Sequence, residues 1–144
     1  MADALQHIQS LPTWLIGRVA ARGHGLVGDA VSRETGLKLS HHAVLAAVAE
    51  HGPLAQADLV RRLGFDAKDV VLLLNRLEHE GLLERRPNPN DRRKNAVTAT
   101  SDGLRTLQRC AELAEQANAQ LLAPLTPDER EQLISLLRRL YEQE

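Results

Sequence analysis

The stretch Leu77–Gly103, LEHEGLLERRPNPNDRRKNAVTATSDG, joins the end of one amphipathic run to the start of another. Gly81 directly follows the first run. Glycine in this position commonly ends a helix, because it adopts the left-handed backbone conformation without strain. A helix is therefore expected to end near His79 or Glu80, and the residues after Gly81 decide how the rest of the chain is organised.

Two extended segments, 83–87 and 94–99, follow Gly81 and are separated by the turn formers Asn88-Pro89-Asn90-Asp91. This pattern predicts a β-hairpin. The range 85–94 contains five basic side chains and one acid, although the whole chain has a net charge of −1. Arg and Lys neutralise phosphates, and Arg fits the narrow minor groove. The hairpin is therefore either a nucleic-acid-binding wing or a solvated turn.

Apolar residues recur at helical spacing on both sides of the hairpin, and we expect helices over about residues 10–33, 41–51, 56–63, 66–79, 101–122 and 127–142. Good N-caps stand before four of these helices, at Ser40, Asp66, Thr100 or Ser101, and Thr126. Ala55, before the third helix, offers no capping side chain. The third and fourth helices, joined through Gly64-Phe65, are expected to form a helix-turn-helix, in which the second helix would be the recognition helix.

Each helix is expected to bury one apolar side. These sides are Val44, Leu45 and Val48 in the second helix, Val70, Leu73, Leu74 and Leu77 in the fourth, and Leu104, Leu107, Ala111 and Ala114 in the fifth. Three glycines weaken the first helix, at about 1 kcal/mol each relative to alanine: Gly23, Gly25 and Gly28. A kink or local fraying near His24 is expected.

The composition limits the class of protein. A chain of 144 residues and 15.9 kDa fits a single domain over 1–144. Its aromatic content of 2% favours a helical core of Leu, Val and Ala. One cysteine excludes an internal disulfide, and no apolar run reaches the roughly 20 residues of a membrane span, so we expect a cytoplasmic protein without a membrane partner. No phosphate loop, metal-ligand spacing or nucleophile–base pair is visible, so no enzyme, cofactor or metal is expected.

The segments Leu77-Glu78-x-x-Gly81-Leu82-Leu83-x-Arg85, Asp91-x-Arg93 and Thr100-x-x-Gly103 resemble the wing signature of the MarR family of bacterial transcription regulators. Length and helix order fit this family from about Ser10 to Tyr141. The resemblance implies a mainly α fold with a small β-hairpin wing at about 83–99. A winged helix-turn-helix over 40–100, with its recognition helix at about 66–79, would lie between dimerisation helices at 10–33 and 101–142.

The partner that this resemblance implies is double-stranded DNA. Arg93 would enter the minor groove, while Asp91 would hold its guanidinium group in place. In the first turn of the recognition helix, Lys68 and Asp69 could contact bases, whereas Asp66 could contact DNA or serve only as a helix cap. Val71 and Leu72 could pack on thymine methyl groups. The candidates for phosphate contacts, with a solvated surface as the alternative, are Arg61, Arg62, Arg86 and Arg92.

The first and last helices carry apolar stripes that a small central domain cannot cover. They bury each other in a homodimer or fold back on the same chain. In a dimer, two recognition helices about 34 Å apart would read a pseudo-palindromic operator. A small aromatic or phenolic ligand could bind Trp14 and Arg18, one helical turn apart, together with His41 or His42. Alternatively, Trp14 anchors the dimer core and Arg18 forms a surface ion pair.

The position of Cys110 inside the fifth helix favours a buried structural thiol over an oxidant sensor. The histidines His41, His42 and His51 lie close in sequence but do not complete a tetrahedral metal site. The sequence thus predicts a dimeric, sequence-specific DNA-binding regulator, a repressor relieved by a small ligand. The alternative is a protein of the same fold that has lost specific DNA readout and acts through ligand or protein binding.

Overall fold

A computed structural model of the chain describes residues 2–88 and 91–143, and of residues 88 and 91–94 it describes the backbone only. The elements are α1 (Ala4–Gln9), α2 (Pro12–Thr35), α3 (Leu39–His51), α4 (Gln56–Leu63), α5 (Ala67–His79), β1 (Leu83–Asn88), β2 (Asp91–Ala99), α6 (Ser101–Leu121) and α7 (Pro127–Tyr141). The predicted fold class, mainly helical with one antiparallel hairpin, is confirmed. No helix of the described part is long and apolar enough to cross a membrane.

The chain divides into two compact units, one formed by residues 28–114 and the other by 1–27 with 115–144. In the 28–114 unit, α3, α4 and α5 pack together and against the β1–β2 hairpin. The buried sides predicted for α3 and α5 are confirmed. Each fully buried Leu or Val stabilises the fold by roughly 1.5–3 kcal/mol relative to an exposed position, so these helices form a core of their own.

The buried side of α6 differs from the predicted stripe. Within the 28–114 unit, Cys110 and Leu113 are buried, whereas Leu104 is 51% exposed and Ala111 is also exposed. Sequence periodicity identified an apolar stripe, but it did not reveal which neighbouring stripe of the same helix faces the core. At the surface, Arg109 joins α6 to the end of α2, because its Nε donates to Glu34 at 2.6 Å.

A tight corner connects the end of α5 to the wing and to α6. Gly81 has φ +75°, and the N–H of Leu82 donates to the carbonyl of Leu77 at 2.9 Å, as in the Schellman motif. Thr100 caps α6: its Oγ1 accepts the N–H of Gly103 at 3.0 Å and donates to the carbonyl of Gly81 at 2.7 Å. The helix end predicted near residues 79–80 is confirmed, and the same residues fix where the hairpin begins.

The start of α3 is a correction to the predicted cap at Ser40. The helix begins at Leu39, and Lys38 is the N-cap. The reason is a side chain one turn into the helix, since Nδ1 of His41 accepts the N–H of Lys38 at 3.0 Å. This hydrogen bond, from the backbone N–H of the cap residue to a side chain in the first turn, is one half of a capping box. It places the N-cap at Lys38, two residues before Ser40.

Two other helix starts follow capping rules. At α4, where Ala55 has no capping oxygen, Asp58 Oδ2 accepts the N–H of Ala55 at 3.0 Å. At α7, Thr126 Oγ1 accepts the N–H of Glu129 at 3.2 Å, and Glu129 Oε1 accepts the N–H of Thr126 at 2.9 Å. The predicted capping box at Thr126 is confirmed, and Pro127 occupies the first helical position.

The unit of 1–27 with 115–144 leaves many large apolar side chains exposed. Helices α1 and α7 have no buried residue. Helix α2 runs unbroken through its glycines, so the predicted fraying near His24 is wrong, whereas the alternative, a kink there, stays a prediction. The side chain of Leu121 lies 3.0 Å from where a Cβ of Gly23 would stand, so the glycine allows α6 to approach α2 closely within this unit.

Candidate nucleic-acid interface

The helix-turn-helix consists of α4 and α5, which are joined by a left-handed Gly64 with φ +68°. Asp66 caps α5, because its Oδ1 accepts the N–H of Lys68 at 2.8 Å. The carboxylate thus satisfies one of the free N–H groups at the start of the helix and lies at the positive end of the helix dipole. Of the two readings of Asp66, a helix cap and a DNA contact, the cap is the one for which the structure supplies a hydrogen bond.

Burial of one face of α5 fixes which side chains point outward. Val70, Leu73, Leu74 and Leu77 are buried against the rest of the 28–114 unit. The opposite face is exposed and carries Lys68, Asp69, Leu72, Asn75 and Arg76. Leu72 is 67% exposed and is the one apolar side chain in this otherwise charged and polar row. This outward row is the surface that a helix-turn-helix presents to the major groove.

The C-terminal half of the outward row is bonded within the protein. Arg85 of β1 donates from Nη2 to Asn75 Oδ1 at 3.0 Å, and its Nε lies 3.9 Å from a carboxylate oxygen of Glu78. Arg76 donates from Nε to Glu80 at 2.8 Å. The interactions of Arg85 link the wing to α5. They leave Lys68, Asp69 and Leu72, in the first half of the helix, as the side chains available to a partner.

The wing is an antiparallel hairpin in which Leu83 is paired with Ala99 and Arg86 with Ala96. Val97 is buried and exchanges both backbone hydrogen bonds with Leu54, at 2.8 and 3.1 Å, so β2 is anchored to the segment before α4. The predicted site residues Asp91, Arg92 and Arg93 begin β2. Their side chains lie outside the described residues, and their roles in DNA binding stay predictions.

The other predicted phosphate contacts are exposed and interact with acids. Arg86 donates to Glu84 at 3.0 Å. Arg61 pairs with Asp58 on α4. The pKa of Asp58 is lowered, chiefly by the backbone N–H of Ala55 and further by Arg61 and Arg62. Such exposed pairs contribute little to stability, so these arginines can exchange an acid for a phosphate at low cost.

A groove of about 590 Å³ brings Arg61 and Arg85 together. It lies between the start of α4 and the hairpin, over the buried side chains of Leu74 and Val97. Sequence reasoning identified Arg61 as a site residue but missed Arg85 and its partner Asn75. The motif contained Arg85, yet its contact with α5 depends on the pairing register of the hairpin, which the sequence pattern did not specify.

The predicted ligand residues fall in both units, and each is described separately. In the unit of 1–27 with 115–144, the guanidinium carbon of Arg18 lies 5.9 Å from the centre of the Trp14 ring, within cation–π range. In the 28–114 unit, His41 is 7% exposed, and its Nδ1 is occupied by the N–H of Lys38. Burial lowers the pKa of His41, and the charges of Arg76 and Lys38 lower it further. Burial also lowers the pKa of His42.

A second groove, of about 480 Å³, lies between the start of α3 and α5 within the 28–114 unit. Lys38 and Phe65 line it beside His41 and Leu72. Neither Lys38 nor Phe65 was predicted as a site residue. The sequence pattern could not show that this cation and this ring line one groove, because that depends on the turn between α4 and α5 lying next to the start of α3.

Cys110 is fully buried in α6. Burial raises the pKa of its thiol, and the nearby charge of Glu34 raises it further. A thiol that stays protonated and inaccessible reacts slowly with oxidants. The structural reading of Cys110 is the one that this geometry favours.

Comparison with known proteins places this arrangement in a family. A family model described as the MarR family matches residues 35–94, from the end of α2 into the wing. The multiple antibiotic resistance protein MarR of Salmonella typhimurium is 33% identical over 98 residues, which cover 67% of this chain and 68% of that protein. Two further curated regulators, 32% and 31% identical, are longer, and the matched region spans 62% of the length of each.

Solved structures agree over nearly the whole chain. Wild-type MarR from E. coli without ligand has a TM-score of 0.82 and 27% identity, covering 90% of this chain and 96% of that one. BpsR of Bordetella bronchiseptica, a protein whose DNA binding is regulated by 6-hydroxynicotinic acid, has a TM-score of 0.76 and 26% identity, covering 94% of this chain and 96% of that one. These relatives are transcription regulators and not enzymes, and the chain belongs to the MarR family.

Proposed function

We propose that the chain is a homodimeric, sequence-specific DNA-binding protein that represses transcription and is released by a small aromatic anion. The observation that carries this proposal is the outward row of α5, Lys68, Asp69 and Leu72, exposed in a helix-turn-helix and followed by a basic hairpin. A repressor acts where the chromosome lies, so the proposal places the protein in the cytoplasm.

The DNA contacts divide into two classes. Lys68, Asp69 and Leu72 would meet base edges in the major groove, because they occupy the first turns of the recognition helix. The basic side chains of the wing would supply charge, with Arg93 in the minor groove and Asp91 holding it, as the family resemblance implies. Arg61, Arg62, Arg86 and Arg92 would contact phosphates, a sequence-independent term that falls as salt rises.

The exposed apolar surface of the unit of 1–27 with 115–144 supports a dimer. Large side chains on α7, on α2 and directly before α2 are 38–61% exposed in the single chain: Leu11, Leu15, Ile16, Val19, Ile134, Leu136, Leu137 and Leu140. Burying such a surface stabilises by about 25 cal/mol per Å². A second copy of the chain would cover it and place two α5 helices on successive major grooves of a pseudo-palindromic operator.

The ligand part of the proposal rests on Trp14 and Arg18, which offer an aromatic face and a cation 5.9 Å apart. A flat aromatic carboxylate can stack on the first and pair with the second. The relative BpsR responds to 6-hydroxynicotinic acid, which is a molecule of this class. A ligand that prefers a dimer with misplaced α5 helices would lower DNA affinity by linkage.

The DNA part is tested by fluorescence anisotropy over a range of salt, with the intergenic DNA beside the protein's own gene and a scrambled duplex of equal length. Specific regulation predicts a preference of about 10³-fold or more. Arg93→Ala should lower affinity and reduce the salt slope by about one unit. Arg105→Ala removes an exposed arginine of α6 that pairs with Asp102, and should leave both unchanged.

The opposite result supports the loss of specific readout. If DNA selected from a random pool binds no better than scrambled DNA, and Arg93→Ala behaves like Arg105→Ala, the protein does not read DNA. Selection from a random pool removes the dependence on guessing where the operator lies.

The ligand part has an independent optical test, because Trp14 is the one tryptophan of the chain. Titration with 6-hydroxynicotinic acid should change its fluorescence and reduce the affinity for DNA over the same concentration range. Arg18→Gln keeps a polar side chain and removes the charge, and it should weaken both effects together. Benzyl alcohol, an uncharged aromatic compound, serves as the control ligand. Equal responses to both compounds would contradict recognition of an anion.

A further inference from the structure

Leu72 is the one side chain of the available row that cannot form a hydrogen bond. It is 67% exposed, one helical turn after Lys68 and Asp69 and one turn before Asn75 and Arg76. A single exposed leucine on a protein surface is ordinary. Leu72 differs in its place, because it stands in the middle of the face that the helix-turn-helix offers to the major groove, and its later neighbours are bonded to Arg85 and Glu80.

The chemistry of the major groove limits what such a side chain can recognise. Guanine, cytosine and adenine present hydrogen-bonding atoms there, and thymine adds an apolar C5-methyl group. A leucine pressed against a polar base edge would remove water without replacing its hydrogen bonds, which costs free energy. A leucine pressed against the thymine methyl group buries apolar surface on both sides.

The neighbouring Asp69 limits where this thymine can lie along the operator. Its carboxylate only accepts hydrogen bonds, so it suits the amino group of cytosine or adenine and opposes the acceptors of guanine. Asp69 and Leu72 are three residues apart, which is about 4.5 Å along the helix axis. This distance corresponds to one or two base-pair steps of about 3.4 Å.

We propose that Leu72 is a specificity-determining residue that reads the C5-methyl group of a thymine, one or two base pairs from the base that Asp69 contacts, in each half of the operator. The inference rests on the proposed function, since it requires specific binding to DNA. It assigns recognition of one base pair to an apolar contact, which a polar or basic residue in place of Leu72 would not make.

The experiment begins with the full-length protein and an operator selected from random DNA. Each thymine of one half-site is then replaced, one at a time, by deoxyuridine, which keeps the base pair and lacks only the methyl group. Binding is measured by anisotropy at constant salt. At one thymine the replacement should weaken binding of the unaltered protein by about 4-fold per half-site, the value of one buried methyl group.

Two variants test whether Leu72 is responsible for this loss of DNA affinity. Leu72→Ala should bind the thymine and deoxyuridine operators equally well at that position, because the partner of the methyl group is gone. Lys68→Ala, one turn away on the same face, should bind both more weakly and keep the 4-fold ratio. Leu72 is largely exposed, so Leu72→Ala leaves the core intact, and an unchanged melting temperature verifies this.

The outcomes separate the inference from the function on which it rests. Specific operator binding with no sensitive thymine, or the same thymine preference in Leu72→Ala as in the unaltered protein, overturns the assignment of Leu72 and leaves the regulator intact. Absence of any selected operator overturns both.

Discussion

Replacing Gly103 by alanine should destabilise the fold at the corner where the wing meets α6. A Cβ built on Gly103 would lie 2.1 Å from the carbonyl oxygen of Leu82 and 3.1 Å from its carbonyl carbon. An ordinary contact needs about 3.4 Å, so either α6 or the Gly81–Leu82 segment must move by more than about 1 Å. The obstacle is backbone, which cannot rotate out of the way as a side chain can.

The size of the effect follows from what that movement breaks. The carbonyl of Leu82 accepts the N–H of Thr100 at 3.1 Å, and the carbonyl of Gly81 accepts Thr100 Oγ1 at 2.7 Å. Each hydrogen bond contributes about 1 kcal/mol, and overpacking adds about 1–3 kcal/mol. Alanine recovers up to about 1 kcal/mol of helix propensity. We therefore expect a net loss of about 2–4 kcal/mol, which lowers the melting temperature by roughly 10 °C.

The assay is urea unfolding followed by circular dichroism, at one fixed protein concentration because the proposed dimerisation would contribute to stability. Two other glycines are matched controls. Gly25→Ala places a Cβ in open space inside α2 and should stabilise the chain by about 0.5–1 kcal/mol. Gly81→Ala also meets open space, but its φ of +75° should cost about 1–2 kcal/mol through backbone strain alone.

The order of stabilities tests the reasoning. The space around each Cβ and the backbone angle of Gly81 predict that Gly25→Ala is the most stable variant, Gly81→Ala is intermediate, and Gly103→Ala is the least stable. A Gly103→Ala variant within about 0.5 kcal/mol of the unaltered chain would refute the close approach of α6 to Leu82. A large loss in Gly25→Ala would instead mean that the effect of alanine is unrelated to the space around Cβ.

Three further predictions concern caps, pH and the wing. Asp66→Ala should lower the unfolding free energy by about 1 kcal/mol through loss of the α5 cap, and Asp69→Ala, in the same turn, should not; urea unfolding compares them. Burial lowers the pKa of His41, so the unfolded chain binds its proton more readily, and stability should fall as pH drops below the ordinary value of 6.5. His41→Gln keeps an acceptor for the helix start and should flatten this dependence in urea unfolding from pH 7 to pH 5. Arg85→Ala removes the hydrogen bond to Asn75 and should speed amide hydrogen exchange in the hairpin by about 5-fold; exchange at the unaltered rate would contradict the tether.

The parts of the fold predicted correctly are those that local sequence determines. The end of α5 at Gly81 and the capping box at Thr126 depend on residues within one helical turn, and the buried face of α5 depends on its own periodicity. In each case the physical cause lies in the pattern itself. The resemblance of the wing motif to the MarR family then supplied the order of elements.

The misses depend on contacts that local patterns do not contain. Ser40 is a good cap by residue type, but the imidazole of His41 captures the N–H of Lys38 and starts α3 earlier. Arg85 could be tied to Asn75 only once the hairpin register was known. Which stripe of α6 is buried likewise depends on which elements pack against that helix. The short helix α1 was not predicted, because its sequence lacks a strong apolar pattern.

The acidic start of α5 is compatible with DNA binding once its two carboxylates are separated by role. Asp66 accepts the N–H of Lys68 and lies at the positive end of the helix dipole, so much of its charge is compensated within the protein. Within the described residues, Asp69 is the exposed carboxylate of the outward row that has no hydrogen bond or ion pair, and it lies beside Lys68. One uncompensated acid penalises any base that lacks an amino group to donate to it, while the basic wing supplies attraction that does not depend on sequence. On the proposed function, Asp69 therefore acts as a source of selectivity and is no sign of lost DNA readout, with Leu72 as its apolar neighbour.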